Sequence, residues 1–166
     1  MKQLPVITRG VLFASALLAA FAGCGGGQPV GTASAAAEVA AASIAWKRTF
    51  NAGDPAAVTA LYAEDAILSA PGIPVVKGRA AIGEYFVRTA AEFASAGLTV
   101  ADAPLGDAVA SGELGYQWKT YTISDHSGAV VGSGQLLTVF RRTAGRWLII
   151  ADTWNPDGAT PPGAAH

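Results

Sequence analysis

Trp46 to Leu68 reads WKRTFNAGDPAAVTALYAEDAIL. One amphipathic helix ends in this stretch at Asn51-Ala52-Gly53, a second starts at Asp54-Pro55, and Tyr62 and Asp65 lead into a short apolar strand over Ala66 to Leu68. The restart has a physical basis. Asp54 can accept from the free N–H groups of the new helix, while Pro55 at the first helical position has no N–H that needs a partner. Two helices therefore meet at a tight corner. Beyond it the chain reads strand, long helix, then strands only, the order expected of a curved sheet closing over helices. A sheet curled in that way encloses a cavity.

The first helix is predicted from about Ala36 to Ala52. Val39, Ser43, Trp46 and Phe50 follow one another in steps of four, three and four and share one stripe, with Lys47 and Arg48 off it. A third helix follows Gly78-Arg79, carries Ile82, Phe86, Thr89 and Phe93 at helical spacing, and ends at Gly97. Four strands are then expected, at Leu98 to Val109, Leu114 to Ser124, Val130 to Thr143 and Arg146 to Asn155. Ser111-Gly112, Asp125-His126-Ser127-Gly128 and Ala144-Gly145 separate them with competent turn chemistry, so consecutive hairpins build an antiparallel sheet. The predicted class is α+β.

The N-terminal residues read as an export signal. Lys2 and Arg9 give a positive start, Val11 to Ala22 is apolar, and small residues lead into Cys24. Twelve apolar residues are too few to span a bilayer, which takes ~20. Phe21-Ala22-Gly23-Cys24 resembles the bacterial lipobox, which implies cleavage after residue 23 and lipidation of Cys24. Phe21 stands where an aliphatic residue is usual, and Gly25, rather than Asp, after the Cys favours the outer membrane. The expected organisation is a signal peptide over 1–23, a flexible Gly/Ala-rich tether over 24–37 reaching roughly 20 Å, a domain over 38–156 and a disordered tail over 157–166. The expected location is the cell envelope, as a membrane-anchored lipoprotein at the periplasmic face or cell surface. Cys24 is the only cysteine, so the folded part has no disulfide, zinc cluster or thiol nucleophile. Loss of residues 1–23 leaves 9 basic against 12 acidic residues, a charge of about −3 that argues against nucleic acid as partner.

Several motifs, taken in order, resemble a known superfamily. These are Trp46 with Asn51-Ala52-Gly53-Asp54, Leu61-Tyr62-Ala63-Glu64-Asp65-Ala66, Gly78-Arg79 with Ala81-Ile82, Leu137 to Arg142, Gly145-Arg146-Trp147, and Asp152-Thr153-Trp154-Asn155. Together they look like the nuclear-transport-factor-2-like (NTF2-like) cone, and within it the branch grouping DUF4440 and SnoaL-like domains with ketosteroid isomerase. The resemblance spans about Ala36 to Pro156 and implies a strongly curved antiparallel sheet packed on three N-terminal helices, with a pocket at the open end. The isomerase residues do not carry over. Its oxyanion-hole Tyr falls on Trp46, its base on Ala70 and its second acid on Leu137 or Thr138. Enolisation needs a positioned base and an enolate-stabilising donor, so isomerisation by that mechanism is not expected.

The side chains assigned to the cavity are Trp46, Tyr62, Tyr85, Tyr116, Trp118 and Trp154, with Asp152 and Asn155 nearby; Trp147 reads as core. An apolar pocket with a few polar groups is the usual build of a small-molecule site, although Tyr and Trp also fill ordinary cores. Asp152 is the one candidate base, provided that it is buried without a cation. His126 in a turn and His166 in the tail offer no metal spacing, and no cofactor is expected. The reading that follows is an exported, lipid-anchored domain that binds a small apolar or aromatic ligand in its cone. The alternatives are a SnoaL-like enzyme (isomerase, cyclase or hydrolase type) with Asp152 as base, or a dimerisation module. Apolar residues on both faces of the last two strands point to a homodimer through the outer face of the sheet. Stable anchoring takes two or more acyl chains, and Cys24 is where they would attach. Cys24→Ser is therefore expected to move the protein from the membrane pellet to the soluble fraction, and a variant that stays in the pellet would show that the anchor lies elsewhere.

Overall fold

A computed structural model describes residues 30–158. The signal segment, Cys24, the first part of the tether and the tail beyond residue 158 lie outside the described residues. Helix α1 spans Val30–Asn51, so it starts earlier than the side-chain stripe indicates and takes in the second half of the segment read as a flexible tether. The cause is local: alanine is the strongest helix former, and the alanine-rich turns before Val39 extend the helix back from its packed part. Asp54 accepts from the Ala57 N–H at 2.8 Å and caps α2, Pro55–Thr59. Strand β1 is Tyr62–Ser69, longer than the apolar core Ala66 to Leu68. A two-residue strand, β2 (Val76–Lys77), pairs with it before α3, Arg79–Ala96, which ends on Gly97 at φ 62°. That left-handed C-cap suits glycine.

The strand expected over Leu98 to Val109 is two pieces, β3 (Thr99–Pro104) and β4 (Val109–Ser111). Pro104 has no N–H for a ladder, and Leu105-Gly106-Asp107 carries turn residues, so the chain breaks there and resumes against the same neighbour. Strands β5 (Leu114–Ser124), β6 (Val130–Thr143) and β7 (Arg146–Pro156) form the expected antiparallel hairpins. The sheet order is β2-β1-β7-β6-β5-β3, with β4 also on β5. Strand β1 lies parallel to β7, which makes the sheet mixed. Hairpin logic reaches only the strands joined by short turns. A parallel pair needs a crossover, and everything from β2 to β6 lies between β1 and β7 in the sequence. The sheet is curved and unclosed.

The core lies between the helices and the inner face of this sheet. Val39, Phe50, Ile82 and Phe86 from the helices meet Tyr62, Leu68, Phe140, Trp147 and Ile149 from the strands. Trp46 stacks on Phe50 with ring centroids 5.0 Å apart, and Phe50 meets Phe93 edge-on at 5.1 Å. Two features of strand parity then fix what faces inward. On β5 the buried residues are Gly115, Gln117, Lys119 and Tyr121, while Tyr116 and Trp118 are exposed on the outer face. On β7 the register jumps from Val139–Ala151 to Phe140–Ile149. That bulge skips Ile150 and brings both Trp147 and Trp154 inside, although seven residues of unbroken strand would put them on opposite faces. Among the described residues no helix is long and apolar enough to cross a membrane.

Gly115 permits a close approach of α1 to the sheet. A Cβ there would lie 2.6 Å from Val39 Cγ2 and 2.9 Å from the Val109 carbonyl oxygen. Gly115→Ala is expected to push α1 off β5 and cost ~1–3 kcal/mol, as overpacking does. Urea unfolding measures it, and an unchanged midpoint would contradict this helix–sheet contact.

Candidate active site

Four elements converge on one carboxyl group. Tyr62 is on β1, Trp46 on α1, Thr138 on β6 and Asp152 on β7. Tyr62 Oη donates to Asp152 Oδ2 at 2.7 Å, and Thr138 Oγ1 donates to Asp152 Oδ1 at 3.0 Å. Trp46 Nε1 donates to the Tyr62 oxygen at 3.1 Å. The chain of donors runs one way, from indole to phenol to carboxylate, so each of the four polar groups in this network has a partner. Asp152 is 7% exposed. Burial pushes its pKa up from 3.8 to about 6, against the opposing pull of the Tyr62 and Thr138 hydroxyls and the positive charge of Lys119. The Tyr62 phenol is raised well above its ordinary value, first by burial and then by the neighbouring Asp152 charge.

Asp152 opens on a cavity of ≈ 190 Å³. Trp46, Phe50, Phe86, Phe93, Leu136 and Trp154 supply apolar wall, and Ser43, Lys119, Thr138 and Asp152 supply polar points. Of the side chains that the sequence nominates, Trp46, Tyr85, Asp152 and Trp154 line this space. Tyr62 lies fully buried behind Asp152 and acts through it. Tyr116 and Trp118 do not reach the cavity. They are 41% and 45% exposed on the outer face, beside Leu105, Val109 and Gln135. Asn155 is exposed near the end of β7, away from the cavity. The alternation of β5 is the reason: if Lys119 and Tyr121 face in, Tyr116 and Trp118 must face out. The same rule on β6 turns Thr138 into the cavity and Leu137 away from it.

Sequence reading missed Ser43, Lys119 and Asp102 as parts of the site. Asp102, on β3, accepts from Lys47 at 2.5 Å and from Lys119 at 2.6 Å. Burial opposes its ionisation, but the bonds from Lys119 and Lys47 outweigh that and hold its carboxyl below the usual range. One signal was present: Gly115 shares parity with Lys119, and a glycine opposite a helix marks the inward face. Glu64 and Asp65, at the irregular part of β1, are exposed and pair with Arg79 at 3.0 Å and Arg141 at 2.6 Å. Among the described residues no group of three or more His, Cys, Asp or Glu side chains is placed to hold a metal.

A helix-backed curved sheet with one buried carboxyl at an apolar cavity defines a domain of the NTF2-like class. The sequence profile of the SnoaL-like domain matches residues 44–150, and the chain belongs to that family. Solved structures share the fold. An NTF2-like protein with a cystatin-like fold from Novosphingobium aromaticivorans is 19% identical over 76% of this chain and 84% of its own, with a TM-score of 0.67. An NTF2-like protein of unknown function from Pseudomonas putida KT2440 is 17% identical over 78% of this chain and 92% of its own, at 0.70. A ketosteroid isomerase-like protein from Erwinia carotovora atroseptica is 24% identical over 74% of this chain and 95% of its own, at 0.61. No curated protein sequence matches the chain significantly.

The raised carboxyl has a consequence for stability. The unfolded chain ionises Asp152 near 3.8, whereas the folded protein holds the proton up to about 6. The contribution is therefore fully present below pH 3.8 and is lost as pH rises through about 6. Asp152→Asn should remove that loss, gaining up to ~3 kcal/mol over wild type between pH 4 and pH 7. Urea midpoints of both proteins at the two pH values test this. A constant difference between them would place the Asp152 pKa at its ordinary value.

Proposed function

We propose that this domain is held at the cell envelope through Cys24 and that its cone receives a small, largely apolar ring compound, which donates a hydrogen bond to Asp152. The cavity carries this reading: apolar and aromatic walls converge on one buried carboxyl whose geometry is already fixed by Tyr62 and Thr138. A pre-positioned acceptor in a water-poor site gives orientation and selectivity, and apolar contact gives affinity. Size narrows the choice. A dry cavity of about 150 Å³ takes up benzene, so ≈ 190 Å³ suits one ring with a short substituent, and a four-ring steroid would have to project from the open mouth.

A second reading makes Asp152 a general base in a reaction on such a compound. Its pKa of about 6 favours this, because a base works best with a pKa near the working pH. Steroid-isomerase chemistry remains unsupported: the Trp46 indole N–H is spent on Tyr62, and Ala70 and Thr138 supply neither base nor acid.

Titration with p-cresol is expected to change indole fluorescence saturably through Trp46 and Trp154, and a sterol should give no such change. Trp154→Ala should weaken the response, with thermal melts run alongside because removing a large buried aromatic costs ~3–5 kcal/mol. Asp152→Asn keeps an acceptor and should retain p-cresol. Turnover of a bound ring compound by the wild type, lost in Asp152→Asn, would replace the binding reading with the enzymatic one. Tight sterol binding would overturn the size argument.

A further inference from the structure

The polar side of the cavity away from Asp152 is not used by the reading above. Ser43 is 2% exposed, lines the cavity, and its hydroxyl has no hydrogen-bond partner. Helix hydroxyls elsewhere turn back on their own backbone: Thr49 to the Ala45 carbonyl at 3.0 Å, Thr59 to Pro55 at 2.6 Å, Thr89 to Tyr85 at 3.0 Å. Ser43 has the same option and does not take it. Next to it is a charge imbalance. Lys47, one turn further along α1, and Lys119 share the single carboxylate of Asp102. The Lys47 side chain is 31% exposed and partly screened by water, whereas that of Lys119 is 6% exposed and lines the cavity. An ammonium carries three donors. Asp102 takes one from Lys119, leaving donors at the cavity, and while Asp152 is protonated these groups carry a net positive charge that water screens weakly.

Register gives the layout. Lys119 lies across from Leu136 on β6, and Asp152 lies across from Thr138 on the other side of β6. Two strand spacings and two residues of rise put their Cα atoms roughly 12 Å apart. The cavity thus has an acceptor pole at Asp152 and a donor pole at Lys119 and Ser43, with apolar wall between. We propose that the ligand of this cone is a small ring-bearing monoanion, a carboxylate of about the size of an arylacetic acid, whose acid group sits on Lys119 and Ser43 and whose ring lies between Trp46 and Leu136. This rests on the cone binding a small ring compound. It adds the sign of the ligand's charge and the residues that read it. Asp102 is paired with its two lysines, and Asp152, held under Tyr62 and Thr138, is protonated below about pH 6 and then carries no charge to repel the anion.

The test uses three probes of nearly equal shape, phenylacetate, phenylacetamide and 2-phenylethylamine, titrated calorimetrically into the full chain at pH 5, where Asp152 is protonated. Phenylacetate is expected to bind at least tenfold more tightly than the amide, with the amine weakest. Lys119→Met should bring the acid and the amide to the same affinity while leaving amide binding in place. Ser43→Ala removes only an unpartnered hydroxyl, so its melting temperature should equal or exceed that of the wild type while phenylacetate affinity falls about threefold to tenfold. That variant decides the matter even if Lys119→Met fails to fold. Equal affinities for acid and amide, or preference for the amine, would overturn the anion site and leave small-ring binding standing. Failure of all three probes would overturn both.

Discussion

The hydrogen bond from Tyr62 to Asp152 is the contact on which the rest of this structure depends. It joins β1 to β7, the one parallel pair in the sheet, and through the Trp46 indole it also ties α1 to both. Burying a carboxyl is costly unless its oxygens are bonded, and here a phenol and a threonine hydroxyl meet one oxygen each. Loss of the phenol would leave the Asp152 oxygen and the Trp46 N–H short of a partner together. The helix, the edge of the sheet and the cavity wall are therefore set by one small network rather than by separate contacts.

The same economy governs charge. Two carboxylates reach the interior, and the protein treats them oppositely. Asp102 is neutralised twice over and stays ionised, whereas Asp152 receives only neutral donors and is held near the point of protonation. An ion pair so saturated is structural, and it also leaves a lysine with unused donors. A carboxyl with no cation bonded to it is the group whose state a bound molecule can change. The cavity of ≈ 190 Å³ meets Asp152 directly and Asp102 only through Lys119.

Much of the scaffold is legible in the chain. The Asp54-Pro55 restart, the stripe of Val39, Ser43, Trp46 and Phe50, the repeat Ile82, Phe86, Phe93 and the hairpin turns after β5 and β6 each act through neighbours a few residues away, and each appears where it was expected. The site is legible only in part. Asp152 stands out as the lone acid among aromatics, but hydrophobicity draws in Tyr116 and Trp118, which belong outside, and the residue identity of Lys119 carries no sign that it is buried.

The sequence by itself determined the element order, the α+β class and the helix corner, because helix caps and apolar periods are local properties of the chain. Only the tertiary structure decided which face of β5 points inward, that a bulge at Ile150 turns Trp154 into the cavity beside Asp152, and that Lys119 finds its counter-charge on β3. A strand's alternation is symmetric: it says that two sets of side chains part company, and it takes the packing of a helix against a glycine such as Gly115 to say which set is buried.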